Sequence, residues 1–280
     1  MRVSEGQGER GVIERSEYPN TFEGIRTGLK SIGLAAGDVV LVHSSLSKIG
    51  WTVGGERTVI DALLSIVGGS GTVVMPAQSS DNSDPGQWRN PPVPNDWFET
   101  ICREMPPFDK ERTPTRGVGR IPELFRVYPK PRRSNHPQAS FTANGKYSSQ
   151  ILETHVLTPA FGMDSPLGAL YRLNARVLLI GVSYECCTAL HLAEVLSGRT
   201  GTTRSGCAMI KDGKREWVWF EEPDWYSADF PALGADFESE TGAVLNGRIG
   251  AAESKLIPVR LLVDYAKDWM ETNRKKMGII

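Results

Sequence analysis

The stretch VVLVHSSLSKIGWTVGGERTVIDALLSIVGGSGTVVMP, residues 39–76, decides the fold class of this chain. The apolar runs VVLV and TVVM at its two ends predict buried strands. Between them Val59, Leu63 and Ile66 recur at helical spacing. Glycine pairs stand before and after this helix. A strand, a helix and a second strand in this order predict a crossover unit of a parallel sheet.

The alternation of helix and strand extends to both sides. Before the stretch, Thr21 caps a predicted helix that Gly33 ends. After it, residues 176–182 form a strongly apolar run that predicts another buried strand, and a helix follows over about 188–196. Residues 79–115 break the pattern with Asp, Asn, Pro and Trp. An irregular insertion of this length in a compact domain is usually functional or mobile.

The rest of the chain is mixed. Residues 206–220 predict a β-hairpin that turns at Asp212-Gly213, and the chain ends in a predicted helix. We therefore predict an α/β fold with a central mixed β-sheet flanked by helices, an irregular insertion and a C-terminal α+β portion. Residues 1–20 are predicted to be a loose lead-in, and 21–280 a single domain.

The composition narrows the class of protein. The formal net charge of −1 lacks the basic excess of a nucleic-acid-binding domain. No apolar run reaches the length of about 18 residues that a membrane span needs, and the polar N-terminus does not resemble a secretory signal. The four cysteines contain no CxxC motif, which favours a reducing cytoplasm and argues against a zinc site. We expect no nucleic acid, no membrane and no metal as partners.

The segment TALHLAE follows the apolar strand at 176–182 and contains His191 and Glu194. Residues three apart on a helix share a face, and ligands in α/β sheets bind beyond the carboxyl ends of strands. His191 is therefore a candidate general base, with Glu194 as the residue that orients it. The alternative is a histidine that only satisfies its helix neighbour.

Two further segments have features of binding sites. Ser44 and Ser45 end the first strand before a glycine-rich turn, where backbone N–H groups can approach an anion. Arg116 and Arg120 flank Gly117 and Gly119 at a predicted helix start, which suits phosphate contact. The alternatives are an ordinary tight turn and a solvated basic face.

Acidic residues accompany aromatic ones in the insertion and after the hairpin, an arrangement that suits a polycationic sugar. A solvated acidic loop is the alternative. The carboxylates are Asp81, Asp84, Asp96, Glu221, Glu222, Asp224 and Asp229. Better-known motifs fail: GVSYE at 181–185 lacks the last glycine of a nucleophile elbow, and GxxxxGK[ST] is absent.

Five stretches together resemble the aminoglycoside 3-N-acetyltransferases, antibiotic N-acetyltransferases that do not have the GNAT fold. They lie in the family's order and cover most of residues 20–200. The stretches are LVHSSLSKIGWTVGGERTVIDAL (41–63), VMPAQSSDNSDPGQW (74–88), PPFDKERTPTRGVGRIPELFR (106–126), RSNHPQASFTANG (133–145) and DSPLGALYRLNARVLLIGVSYECCTALHLAE (164–194).

The resemblance implies an antibiotic cleft beside a tunnel for coenzyme A (CoA), and it implies roles for named residues. His191 matches the family's general base, and Glu194 and Asp164 match acidic positions near it. The residues that match the CoA-facing region are Ser44, Ser45, Leu46, Met75, Pro76, Thr115, Arg116, Gly117, Val118 and Gly119. The residues that the resemblance implies for the aminoglycoside are Asp81, Asp84, Glu221, Glu222 and Asp224.

The implied reaction is direct transfer of an acetyl group from acetyl-CoA to the 3-amino group of the 2-deoxystreptamine ring, which confers antibiotic resistance. His191 would take the proton of the amine, and backbone N–H groups near residues 44–46 would bind the thioester oxyanion. Three alternatives stay open: another amine acceptor, a hydrolase that uses Ser44 or Ser183, and a binding protein without turnover. A monomer and a homodimer are both compatible with the sequence.

Overall fold

A computed structural model describes residues 5–276 of the 280-residue chain, with side chains from Gly8 onward. The helices are α1 (Glu5–Arg15), α2 (Phe22–Ser31), α3 (Leu46–Ile49), α4 (Gly55–Val67), α5 (Phe98–Glu104), α6 (Arg120–Arg126), α7 (Ser148–Leu152), α8 (Pro166–Arg172), α9 (Ala189–Ser197), α10 (Phe230–Thr241) and α11 (Val259–Lys276). The strands are β1 (Val39–Ser44), β2 (Thr72–Pro76), β3 (Arg132–Arg133), β4 (Phe141–Gly145), β5 (Arg176–Ile180), β6 (Thr202–Lys211), β7 (Lys214–Pro223), β8 (Leu245–Ile249) and β9 (Ala252–Pro258).

Seven strands form one sheet in the order β3-β4-β2-β1-β5-β9-β8. The central strand β1 runs parallel to β2 and β5, and the outer pairs are antiparallel. The predicted central mixed sheet is therefore confirmed. Strands β1, β2 and β5 are almost wholly buried, as expected where helices cover both faces of a sheet.

The two faces of the sheet pack against different helices. Along β1 the side chains alternate, so Val40 and Val42 contact a core with residues of α2, α4 and α6. Val39 and Leu41 contact the other core, which is built with residues of α8 to α11. This second core lies under His191 and fixes the position of the helix that holds it.

Parts of the predicted lead-in and of the insertion contact the rest of the domain. Residues 1–20 include helix α1, and the backbone N–H of Trp51 donates to Ser16 Oγ at 2.8 Å, which ties the lead-in to the domain. The insertion docks on the β6–β7 hairpin, where Asn82 Nδ2 donates to the carbonyl of Ala208 and its Oδ1 accepts from the Ala208 N–H, both at 2.8 Å. The hairpin itself is longer than predicted.

Glycine conformation explains where α6 begins. The helix expected near the Arg116–Arg120 segment starts at Arg120, because Gly117 and Gly119 have positive φ of 80° and 89°. Strands β3, β4, β8 and β9 were not predicted, and the last helix begins only after β9, at Val259. Within residues 5–276, no helix combines the length and apolar character needed to cross a lipid bilayer.

Candidate active site

The candidate site lies at the carboxyl edge of the three parallel strands. Strand β1 ends at Ser44, strand β2 at Pro76, and β5 is followed by a short turn into α9. His191 lies in the first turn of α9, on the third residue of the helix. The topology thus brings the predicted base to the edge of the sheet where ligands bind in α/β folds.

His191 is paired with Glu194. Its Nδ1 is hydrogen-bonded to Glu194 Oε2, and the carboxylate is fully buried while the imidazole is 16% exposed. A carboxylate only accepts hydrogen bonds, so Nδ1 carries the proton in this pair. Neutral His191 therefore presents the lone pair of Nε2 away from Glu194, which is the tautomer that a base needs.

Aromatic rings enclose the imidazole of His191. Phe161 stacks on it with a centroid distance of 5.2 Å and an interplanar angle of 16°. Trp225 meets it edge-on at 5.2 Å and Phe230 is tilted at 5.1 Å. These walls restrict the rotation of the ring and limit the access of water to one side of it.

A second imidazole lies near His191. His43, on β1, is buried, and burial lowers its pKa to about 3, with a further contribution from the charge of His191. Its Nε2 has no hydrogen-bond partner among the described residues. His43 is therefore neutral at physiological pH and does not compete with His191 for a proton.

Asp164 does not share the role of Glu194 in this arrangement. Its side chain is exposed, and no hydrogen bond or ion pair among residues 8–276 joins its carboxylate to His191. Only the Asp164 backbone carbonyl is engaged, by the N–H of Val156 at 3.1 Å. Of the two acids that match positions near the general base, only Glu194 pairs with His191 among the described residues.

The Ser44–Leu46 turn differs from the prediction in one respect. The Ser45 N–H donates to the carbonyl of Ile180 at 2.9 Å, so it is not available to an oxyanion. The N–H of Leu46, in the first turn of α3, has no backbone acceptor in the described part of the chain. The Ser44 hydroxyl is buried without a partner, and no hydrogen bond joins it to His191.

Beside this turn lies an open cleft of about 740 Å³. Its walls are formed by Glu56, Asp81, Thr115, Arg116, Gly117, Gly119, Arg120, Glu123, Leu124 and Val127. A Cβ added at Gly119 would lie 4.0 Å from the carbonyl oxygen of Ser44, so the glycine segment adjoins the end of β1. The cleft thus joins two of the segments that resemble the CoA-facing region.

The cleft contains cations that are paired with carboxylates. Arg116 Nη1 lies 2.8 Å from Asp81, and Arg120 pairs with Glu56. Both arginine side chains are largely exposed. Asp81, expected against the aminoglycoside, is thus placed in the cleft with Arg116. An anionic ligand can exchange with such exposed pairs at low cost because water screens them.

Other predicted cleft residues do not line it. The side chain of Met75 is fully buried in the core that faces α4, and Pro76 is buried at the end of β2. Val118 lies between the two glycines, half-buried and outside the cleft wall.

The predicted acceptor residues divide into two groups. Glu222 is buried, its Oε1 accepts from the N–H of Ala160 at 2.9 Å, and its Oε2 has no partner among the described residues. Burial raises the pKa of this carboxyl. Glu221 and Asp224 are exposed on the same strand end, whereas Asp84 caps a turn through the Gly86 N–H at 2.9 Å.

Sequence reasoning missed Phe161 and Arg274. Phe161 follows a loop with no motif, and its position against His191 depends on tertiary packing. Arg274 reaches Glu194 from 80 residues along the chain. Asp229 was expected with the acidic residues that suit a cationic sugar, but it binds the guanidinium of Arg274 instead.

Comparison with known proteins shows the family of this chain. Residues 41–271 match the family model described as aminoglycoside 3-N-acetyltransferase. The chain is 42% identical over 266 residues to the SPbeta prophage-derived aminoglycoside N(3')-acetyltransferase-like protein YokD of Bacillus subtilis, covering 95% of this chain and 97% of that protein. It is 32% identical over 291 residues to aminoglycoside N(3)-acetyltransferase IX of Micromonospora chalcea, covering 96% and 99%. The resemblance seen in the sequence is confirmed.

Two solved structures with ligands have the same fold. AAC-IIIb, in a binary complex with CoASH, has a TM-score of 0.80 at 29% identity and covers 91% of this chain and 98% of that chain. AAC-VIa bound to sisomicin also has a TM-score of 0.80 at 29% identity, with 91% and 99% covered.

Proposed function

This chain belongs to the aminoglycoside 3-N-acetyltransferase family, and on that premise we propose that it transfers the acetyl group of acetyl-CoA to the 3-amino group of the 2-deoxystreptamine ring of an aminoglycoside. The reaction inactivates the antibiotic and confers resistance. The observation that carries the proposal is the pairing of His191 Nδ1 with the buried Glu194, which leaves the lone pair of Nε2 to act as a base.

The proton transfer follows from the tautomer of His191. A protonated amine has no lone pair, so it must lose a proton before it attacks a thioester. His191 Nε2 takes that proton directly or through one water. The imidazolium that forms keeps its Nδ1–H on Glu194, whose charge stabilises it.

The acyl transfer proceeds without an acyl-enzyme. The amine nitrogen attacks the carbonyl carbon of acetyl-CoA, and the oxyanion is stabilised by N–H groups such as that of Leu46. The carbon–sulfur bond then breaks and CoA leaves as the thiolate, which receives a proton from the imidazolium or from solvent. The lack of a hydrogen bond between Ser44 and His191 supports direct transfer over a serine nucleophile.

The two substrates bind on different sides of His191. The phosphates of CoA bind in the cleft of Arg116 and Arg120, because guanidinium groups there can pair with phosphate. That this family binds CoA is supported by the relative AAC-IIIb, which was solved with CoASH. The aminoglycoside lies near Trp225 and Glu222, whose carboxylate has an oxygen without a partner. Glu221 and Asp224 add negative charge at that rim, which favours a polycation.

A second candidate is an acetyltransferase of this family that uses another amine. It is favoured by Asp84, because this carboxylate is engaged in a local turn and adds little to an acidic cleft. The acceptor profile separates the two candidates.

The experiment is a thiol-release assay with purified enzyme, acetyl-CoA and a panel that includes sisomicin and gentamicin, followed by NMR of the product. We expect release that depends on the aminoglycoside and acetylation at N3. Release with simple diamines but not with aminoglycosides would favour the second candidate. No release and no binding of acetyl-CoA would overturn both.

A further inference from the structure

Arg274 lies in the last turn of α11, and its side chain is wholly inaccessible to solvent. The guanidinium donates two hydrogen bonds to the carboxylate of Asp229, from Nε at 2.7 Å and from Nη2 at 2.8 Å. Its Nη1 donates to Glu194 Oε1 at 2.6 Å. The remaining two N–H groups donate to the carbonyls of Arg199 at 3.0 Å and Tyr226 at 2.8 Å.

All five N–H donors of Arg274 therefore have acceptors. Acceptors from several separate segments of the chain are arranged around this one side chain. Glu194 is fixed from two directions. Its Oε1 accepts from Arg274 and from the N–H of Tyr226 at 3.2 Å, while its Oε2 bonds His191. The carboxylate cannot rotate away from His191 without breaking a buried, charge-assisted bond.

Arg274, Asp229, Glu194 and His191 form a buried cluster, and the net charge of this cluster favours proton transfer to His191. Asp229 and Glu194 each contribute −1 and Arg274 contributes +1, so the cluster carries −1 while His191 is neutral. It becomes neutral when His191 takes a proton. A buried cluster is most stable without net charge, because unpaired charge is costly away from water.

We propose that Arg274 is a positioning residue for the reaction: it aims Glu194 at His191 and sets the charge of the cluster so that protonated His191 is neutralised. This inference rests on the proposed role of His191 as the base. It gives the C-terminal turn of the chain a part in catalysis, although Arg274 touches neither substrate. The test must therefore separate positioning from mere support of the fold.

Other charged and titratable groups surround the cluster. His43 on β1 is neutral because it is buried, and Glu222 on β7 is a buried carboxyl that accepts from the N–H of Ala160. The Arg199 side chain follows α9, and its carbonyl accepts from Arg274. The rings of Tyr226 and Phe230 cover the guanidinium at 5.6 Å and 6.0 Å. These groups are unchanged in the variants below, so shifts between variants report on the cluster charge.

The experiment compares pH profiles of kcat/KM for Arg274→Gln, Asp229→Asn and the double variant. Arg274→Gln makes the cluster more negative, so its acid limb should move to higher pH by about one unit. Asp229→Asn removes a negative charge, so its limb should move to lower pH. The double variant restores the charge of −1 and its limb should return towards the wild-type position, with kcat still lowered about tenfold or more by lost positioning.

Arg260→Gln is the matched control, because Arg260 lies on the same helix, is exposed and donates only to carbonyls of α8. It should leave both kcat and the pH profile unchanged. Arg274→Lys keeps the charge but not the five-donor geometry, so it should lower kcat without moving the acid limb. It also keeps the proposal testable where Arg274→Gln does not fold.

A readout without substrate makes the test independent of the acetyl acceptor. The chain has four histidines, and the imidazole C–H signal that is lost in His191→Gln identifies His191 by NMR. Its titration midpoint should move in opposite directions in Arg274→Gln and Asp229→Asn. Movement in the same direction, or equal loss of activity at every pH with unmoved midpoints, would overturn the proposal. Absence of acetyl transfer in the wild type would instead overturn the proposed function.

Discussion

The His191 side of the site and the Arg116 side are built in opposite ways. Around His191 the acid and the guanidinium are fully buried, aromatic rings form the walls, and every N–H of Arg274 has an acceptor. Around Arg116 the ion pairs are exposed and the backbone bends at two glycines with positive φ. A base must be held in one tautomer and one orientation before the substrate binds. In a cleft for a long anionic cosubstrate, the arginines must instead exchange their carboxylate partners for the phosphates of the ligand.

The contrast predicts that substitutions on the two sides affect different kinetic constants. Changes at the buried cluster should lower kcat, because they disturb an arrangement used in the transition state. Changes at the cleft should raise KM for acetyl-CoA and leave kcat nearly intact, because they remove binding that is equal in ground and transition states.

The largest effect is expected for His191→Gln. It removes the base, so kcat should fall by about 10³-fold or more, while the affinity for acetyl-CoA stays within about twofold. Thiol release and calorimetric titration with acetyl-CoA measure the two quantities. Ser44→Ala serves as the comparison and should retain most activity. If Ser44→Ala were the inactive variant, the nucleophile hypothesis would replace general-base catalysis.

The buried side should also make the protein sensitive to acid. Burial lowers the pKa of His43 to about 3, of His136 to about 4 and of His155 to about 3, from an ordinary value of 6.5. The unfolded chain therefore binds protons below pH 6.5 that the folded state does not. The stability that these neutral imidazoles contribute is therefore fully present above pH 6.5, and it is lost as the pH falls below that value.

Three such residues lower the free energy of unfolding by about 4 kcal/mol between pH 7 and pH 5.5. Urea unfolding at these two values measures the loss. In the folded state His155 Nε2–H donates to the Ala160 carbonyl at 2.8 Å, and Nδ1 accepts from Ser134 Oγ at 2.9 Å. His155→Asn should reduce the pH dependence by about a third. An unchanged midpoint of wild type at both pH values would contradict the neutral state of these imidazoles.

The cleft side should respond to charge and salt. Replacing both Arg116 and Arg120 with alanine is expected to raise KM for acetyl-CoA about tenfold, and the difference from wild type should shrink at high salt. Arg103→Ala is the control, since Arg103 is an exposed arginine that pairs with Glu104 outside the cleft. A fall in kcat with unchanged KM in the double variant would break the contrast between the two sides.

The smallest effect is expected at Asp164. Its carboxylate is exposed and makes no bond to His191 within the described residues, so Asp164→Asn should change kcat by less than about twofold. Glu194→Gln is its counterpart and should lower kcat about 10²-fold, because the amide cannot neutralise the imidazolium. Equal losses in the two variants, measured by initial rates, would show that both acids act on His191.

The parts of the molecule that could be predicted from sequence are those with local causes. The helix–strand alternation of 39–76 and the i, i+3 spacing of His191 and Glu194 depend on neighbours in the chain, and the structure has both. Strand β4 escaped prediction because Phe141–Gly145 is short and mixes polar with apolar residues, and its place is fixed by pairing with β2.

The parts that could not be predicted depend on contacts between distant segments. Nothing near Arg274 indicates that it reaches Glu194, and nothing near Asp81 indicates that it pairs with Arg116 across 35 residues. The order of the N-terminal lead-in likewise depends on Ser16 meeting Trp51. The sequence shows where the charged residues stand along the chain. Their roles depend on burial and on their partners in the folded structure, which the sequence does not show.

The most direct test of direct transfer is intact-protein mass spectrometry after incubation with acetyl-CoA alone, with free thiol followed in parallel. Direct transfer predicts no acetyl adduct and no burst of thiol until an aminoglycoside is added. A stoichiometric adduct at Ser44, formed with a burst of thiol and discharged by the acceptor, would contradict it and establish an acyl-enzyme.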